Sequence, residues 1–153
     1  MKKRWMAVAL TAILLMAVGG AIGTVSVRQE SENVYDLYFV ERNLRAASGG
    51  DALRAEERAL SGGADSTAQQ AEALMAELLK GPVDQTLKSP FPKGTGLNSV
   101  EQKGTEIHVD FSAVYGTLSG MDLTLADYAV TMTLAQLPDV ARVRITVAGN
   151  NLD

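Results

Sequence analysis

Six residues in the second half of the chain, Ile107-His108-Val109-Asp110-Phe111-Ser112, alternate strictly between apolar and polar. Side chains of a β-strand point to opposite faces with a period of two. The pattern therefore predicts a strand with Ile107, Val109 and Phe111 in a core and His108, Asp110 and Ser112 on the other face. A slip of one residue would turn every apolar side chain outward, so the register is strongly specified. The polar side has the residue types of a catalytic trio, but strand geometry keeps them apart. His108 and Ser112 are four residues apart, roughly 13 Å at ~3.3 Å per residue. A general base works within about 3 Å of the hydroxyl it deprotonates. The stretch reads as a central packing strand with one polar face.

Trp5 to Val27 contains no charge and follows Lys2, Lys3 and Arg4. About 20 apolar residues cross ~30 Å of hydrocarbon. Residues 1–27 are accordingly read as a signal anchor, a single transmembrane helix with its basic flank in the cytoplasm. The competing reading is a cleaved secretory signal with small residues Gly19, Gly20, Ala21 and Gly23 near the cut. The apolar core of such a signal is usually only about 7–15 residues. Either way the rest is expected outside the cytoplasm: a polar linker at 28–33 and one domain over 34–153.

From residue 28 onward the chain has eleven basic against eighteen acidic residues, a formal −7 within a total of −4. Nucleic-acid affinity comes largely from phosphate neutralisation, so this balance argues against that partner. No run of basic residues for anionic lipids stands out along this part. The chain has no cysteine. That excludes a disulfide framework, thiolate zinc sites, a cysteine nucleophile and a lipidated N-terminal cysteine.

Val34 to Val40 is rich in β-branched and aromatic residues and apolar on both faces, which predicts an inner strand. Asp51 to Leu60 lies between two Ser-Gly-Gly turns. Its composition favours a helix, its position also allows a strand or an irregular arm, and periodicity does not decide. Ser66 with Gln69 resembles a capping box opening an amphipathic helix that Gly81-Pro82 ends. Residues 83–96 read as a loop, and Leu97 to Glu101 pairs with the 107–112 strand through a turn at 102–105. A second helix is expected over Leu125 to Leu137, capped by Thr124 with Asp127, with Leu125, Tyr128, Ala129, Met132 and Gln136 on one stripe and Val130, Leu134 and Leu137 widening the apolar side into a well-buried helix. Pro138 stops it. Val143, Ile145 and Val147 alternate with Arg142, Arg144 and Thr146 as a last strand. The order predicts an α+β domain, a βαββαβ two-layer sandwich with helices on one face of a four-stranded sheet.

The candidate chemistry is thin. His108 is the only histidine, and a lone histidine seldom makes a metal site; a solvated surface role is expected. Asp110 is expected to hydrogen-bond a neighbouring loop. Gly94 and Gly96 follow Lys93, but the ending of a phosphate-binding P-loop is missing. Tyr35, Tyr38, Phe39, Tyr115 and Tyr128 read as core and sheet residues. No catalytic residue, metal ligand or cofactor is expected.

Several pieces of the chain, in order, resemble the GerMN domain of GerM-type sporulation and spore-germination proteins. They are Leu37-Tyr38-Phe39; Leu53 with Glu56 or Glu57 and Arg58; and Leu78-Leu79-Lys80-Gly81-Pro82. Phe91-Pro92-Lys93-Gly94-Thr95 and Val109-Asp110-Phe111-Ser112 follow. Thr133-Leu134, Leu137-Pro138, Val140 and Val143 complete the set. The resemblance implies a membrane-tethered extracytoplasmic module, similar in fold to ring-building motifs and without established catalytic residues. On that reading Gly81, Pro82, Pro92, Gly94, Asp110, Phe111 and Ser112 are structural, and Arg142 and Arg144 are candidates for an interface. The implied partners are envelope or sporulation proteins or further copies of the chain. A peptidoglycan- or carbohydrate-binding module is the alternative, and it would need an exposed aromatic patch.

Overall fold

The structure, a computed structural model, describes residues 33–43, 51–60 and 65–151. The expected anchor lies outside the described residues, as does the expected linker except for Asn33, which opens β1. Among the described residues no helix is long and apolar enough to cross a membrane.

The element order is β1 (Asn33–Glu41), β2 (Leu53–Leu60), α1 (Thr67–Lys80), β3 (Leu87–Lys88), β4 (Leu97–Lys103), β5 (Glu106–Phe111), a 3-10 turn (Tyr115–Thr117), α2 (Gly120–Leu134), β6 (Arg142–Val147) and β7 (Asn150–Asn151). These strands form two sheets, β2-β1-β3 and β4-β5-β6-β7, in place of the single four-stranded sheet expected. The undecided segment supplies the reason. Residues 53–60 pair antiparallel with β1 along its length, from Asn33↔Leu60 to Val40↔Leu53. That pairing overrides a helix-favouring composition and holds β1 at the centre of its own sheet. Leu87 and Lys88, within the expected loop, add a short strand to the far end of β1.

The free part of that edge is closed by side chains. Tyr38 N–H donates to Thr133 Oγ1 at 3.3 Å, and Asp36 N–H donates to Gln136 Oε1 at 2.9 Å. Gln136 Nε2 donates back to Asp36 O at 2.6 Å, so one amide fills the place of a strand residue.

In the second sheet Gly104 and Thr105 form the two-residue turn between β4 and β5. Gly104 takes φ +64°, a conformation glycine adopts without strain. β5 runs parallel to β6 through α2. Its register is the one expected: Ile107, Val109 and Phe111 are buried and the residues between them half-buried.

α1 begins as predicted. Ser66 Oγ accepts from Gln69 N–H at 3.3 Å, and the Gln69 side chain reaches back one residue further than the ordinary box, to Asp65 N–H at 2.9 Å. Gly81 ends the helix at φ +86°, and its N–H donates to Leu78 O at 3.2 Å. α2 starts five residues before the expected Leu125 and ends at Leu134. Thr124 is not its cap; its hydroxyl donates back to Gly120 O at 3.1 Å within the first turn. The buried stripe is Ala126, Ala129, Val130, Thr133 and Leu134, and Tyr128 and Met132 face outward. With apolar residues on both sides of the helix, periodicity could not choose; the small Ala126 and Ala129 mark the packed face.

One contiguous core joins Leu37 and Phe39 of the first sheet, Leu74 and Leu78 of α1, Val130 of α2, and Ile107, Val109 and Phe111 of the second sheet. At its centre the Phe111 and Tyr115 rings stack at 4.6 Å and 5°. Phe91 lies tilted against both, at 5.7 and 5.9 Å.

Candidate functional site

The polar face of β5 is occupied by structural bonds. Asp110 accepts from Thr146 Oγ1 at 2.6 Å, Gly149 N–H at 2.8 Å and Asn98 Nδ2 at 2.8 Å. It thereby ties β4, β6 and the β6–β7 turn to one carboxylate. Ser112 clamps the chain before β4: its Oγ accepts from Gly96 N–H at 2.9 Å and its N–H donates to Gly96 O at 2.9 Å. His108 is more enclosed than the solvated residue expected, with its side chain 23% exposed. It bonds Glu106 through Nε2, and its Nδ1 is 3.4 Å from Lys103 Nζ. Glu106 also takes Arg144 Nε at 3.1 Å and sits 3.8 Å from Arg142 Nε. Among the described residues no cluster of three or more His, Cys, Asp or Glu side chains is placed to hold a metal ion.

A second network fastens β2 to the end of α1. Arg58 grips Glu56 Oε1 through Nε and a terminal nitrogen, at 2.7 and 2.5 Å. It also donates to Gly81 O at 3.1 Å and lies 3.5 Å from Glu77 Oε2. The Glu56 carboxylate accepts from the N–H groups of Val83 and Asp84 at 2.8–3.1 Å. Glu56, not Glu57, is the residue that matters here, and the strand shows why. Glu56 and Arg58 share the half-buried face of β2 while Glu57 points to water. Sequence reasoning left this pair open because it could not set the segment as a strand; the period-two spacing of Glu56, Arg58 and Leu60 was the available signal. Beyond Pro82, Thr95 N–H closes a turn onto Pro92 O at 3.1 Å, with Gly94 at φ +91°.

The family model for Germane, described as sporulation and spore germination, matches residues 36–153. The chain belongs to the Germane family. Solved GerMN structures share its fold. The first GerMN domain of the sporulation protein GerM from Bacillus subtilis is 22% identical, with 78% of this chain and 86% of that one covered and a TM-score of 0.58. The tandem GerMN domains of the same protein give 20% identity over 80% of this chain and 41% of that one, at 0.57. A crystal structure from Clostridium perfringens gives 20% over 80% and 78%, at 0.50. No curated protein sequence matches the chain.

The motif residues of this Germane domain thus meet in two places. Asp110, Phe111 and Ser112 hold the second sheet, and Glu56, Arg58, Gly81 and Pro82 hold the junction between the first sheet and α1. Beside that junction lie two adjoining grooves. One, of about 280 Å³, is lined by Leu79, Lys80, Gly81, Ser89 and the segment Phe91–Thr95. The other, of about 570 Å³, is lined by Arg42, Pro82, Asp84, Leu87 and Lys88 and shares Lys80, Gly81 and Ser89 with the first. Arg142 and Arg144 lie elsewhere, on the second sheet. Tyr115, which reads as a core residue, is fully buried, and its hydroxyl donates to Asp127 Oδ1 at 2.6 Å. Burial and that carboxylate push the hydroxyl above its ordinary value. Burial likewise raises Asp127, against the hydrogen bond from Tyr115.

Four carboxyls titrate below their ordinary values. For Glu56 and Asp110 burial acts upward but is outweighed. Glu56 is lowered by the N–H groups of Asp84 and Val83 and by Arg58, Asp110 by Thr146, Asn98 and Gly149. Thr86 lowers Asp84, and Arg144 with His108 lowers Glu106. A lowered folded pKa stabilises above the unfolded value, and that gain is lost as pH falls through the folded one. Asp127 acts in the opposite sense, since its raised pKa favours the folded form on protonation. With four groups against one, the urea midpoint should hold from pH 7 to about 5 and fall below about pH 4. The Glu56→Gln variant should start lower at pH 7 and lose less on acidification. Equal losses in variant and parent would show that Glu56 is not one of the groups responsible.

Proposed function

We propose that this Germane domain is a non-catalytic interaction module of a sporulation, germination or cell-envelope assembly. Residues 5–27 tether it to the cell membrane, with the domain outside. The observation that carries this reading is the use of the family's polar motif residues. Glu56, Arg58, Asp110 and Ser112 all bind structural partners, so none of these four is left as a nucleophile beside a base. Surfaces remain for partners. β7 pairs with β6 only at Thr146 and Val147, so among the described residues the stretch Arg142–Ile145 is an open edge. Arg142 is 77% exposed there. An open edge can accept a strand from another chain, and a head-to-tail contact of that kind closes into rings or grows into filaments. A ring-building role, which the family resemblance implies, would use such a contact.

In-cell crosslinking of the full chain should trap homo- or hetero-complexes in the membrane fraction. Changing Arg142 and Arg144 to Glu should weaken them without lowering protein level. Recovery of monomer alone, while the protein is needed, would sink the proposal. A carbohydrate-binding role is the second reading, favoured by one observation: Tyr128 is 58% exposed between Met121 and Met132 on the outer face of α2. Retention of the uncrosslinked monomer by isolated cell-wall glycan, lost on Tyr128→Ala, would favour it instead.

A further inference from the structure

Among its described residues the acidic domain gathers the positive charge that has no carboxylate partner in one place. Among the described residues Arg54, Arg58, Lys80, Lys103, Arg142 and Arg144 each lie within 4 Å of a carboxylate. The described cations without such a partner are Arg42, Lys88 and Lys93, and all three line the two grooves beside Gly81. Arg42 is far in sequence from Lys88 and Lys93, and those two are five residues apart, so no basic run announced them. Asp84 is the one carboxylate in the lining, and Arg54 holds it at 2.6 Å. Like charges placed together without counter-charge repel, and low-dielectric walls concentrate their field on a concavity. We infer that the paired grooves form a binding site for a phosphate-bearing anion with more than one phosphate group.

The donors fit that chemistry. Two of the three free cations are lysines, whose ammonium groups act as point charges toward phosphate oxygens; planar carboxylates are better matched by arginine forks. Arg42 has its Nε committed to Leu87 O at 2.7 Å, which leaves its terminal nitrogens to face the ligand. Ser89 lines both grooves. Its Oγ accepts from Phe91 N–H at 3.1 Å and keeps its own proton to donate. The grooves are continuous through Lys80, Gly81 and Ser89, with Lys93 in one and Lys88 in the other. Two separated phosphates, one per groove, satisfy that arrangement better than one.

The test uses the full chain in neutral detergent and three soluble probes: tripolyphosphate, orthophosphate, and glycerophosphoglycerol as a lipid headgroup. Tripolyphosphate should bind more tightly than orthophosphate. The K88Q/K93Q double variant should weaken its binding by roughly tenfold, and K103Q, at an exposed lysine that lines neither groove, should leave it unchanged. Slower acetylation of Lys88 and Lys93 in the parent chain under tripolyphosphate, read by mass spectrometry, checks the site without a variant. Headgroup binding at the same lysines assigns the phosphates to a membrane surface. Tripolyphosphate binding without it assigns them to a soluble or wall-linked polymer. Absence of tripolyphosphate binding at about millimolar concentration, or an equal loss in K103Q, overturns the site.

Discussion

Replacing Phe111 with alanine should cost the domain about 3–5 kcal/mol. Its ring is fully buried, stacks on Tyr115 at 4.6 Å and touches Phe91. Truncation removes the centre of this aromatic group, and strands on both sides of β5 limit collapse into the space. A domain of this size is stable by only about 5–15 kcal/mol, so the variant should melt far earlier or fail to accumulate. His108→Ala, on the opposite face of the same strand, should cost about 1 kcal/mol or less, because its bonds to Glu106 and Lys103 are near solvent. Chemical denaturation of the two variants side by side decides the matter. A larger loss from His108→Ala would mean that the β5 register is wrong.

Arg58→Ala should be the next most damaging change, at roughly 2–3 kcal/mol. The side chain is only 18% exposed and serves Glu56, Glu77 and Gly81 O together. Its removal leaves two nearby carboxylates without their shared cation and the end of α1 without a donor. Arg58→Lys should recover part of the loss, since an ammonium cannot reproduce the two-nitrogen grip on Glu56. Lys103→Ala, which breaks an exposed pair with Glu101, should cost under about 1 kcal/mol. If Arg58→Ala unfolds no more readily than Lys103→Ala, the Glu56–Arg58 junction is not holding β2 to the helix.

What the sequence made legible follows the strength of its patterns. Strict alternation set β5 and its inward face. The Ser66 cap and the Gly81-Pro82 stop set α1 almost to the residue. Two elements with mixed signals were harder. Residues 53–60 have the composition of a helix, and only their partner β1 makes them a strand. The α2 face was read too broadly: Ala129, Val130 and Leu134 do pack, but Tyr128 and Met132, as apolar as the residues that pack, face outward. Asp127 had looked like part of a cap and instead receives Tyr115, a contact between separate elements that local spacing does not encode. The motif residues near Gly81 were visible as a family pattern, but the grooves beside them were not. Arg42, Lys88 and Lys93 acquire meaning only when β1, β3 and the turn at Gly94 are brought together.

The Gln136 amide on the edge of β1 bears on how such a domain stays separate from its own copies. A sheet border is usually guarded by a further strand or by charge. Here, between Asp36 and Tyr38, the guard is a threonine hydroxyl in the last turn of α2 and a single neutral side chain just past its end. Solubility of the first sheet is therefore coupled to the seating of a helix. Any event that lifts the end of α2 unmasks backbone donors and acceptors at once, before the core has opened. On the proposed membrane tether, which would concentrate copies on a two-dimensional surface, the same few atoms would stand between orderly spacing and uncontrolled strand exchange.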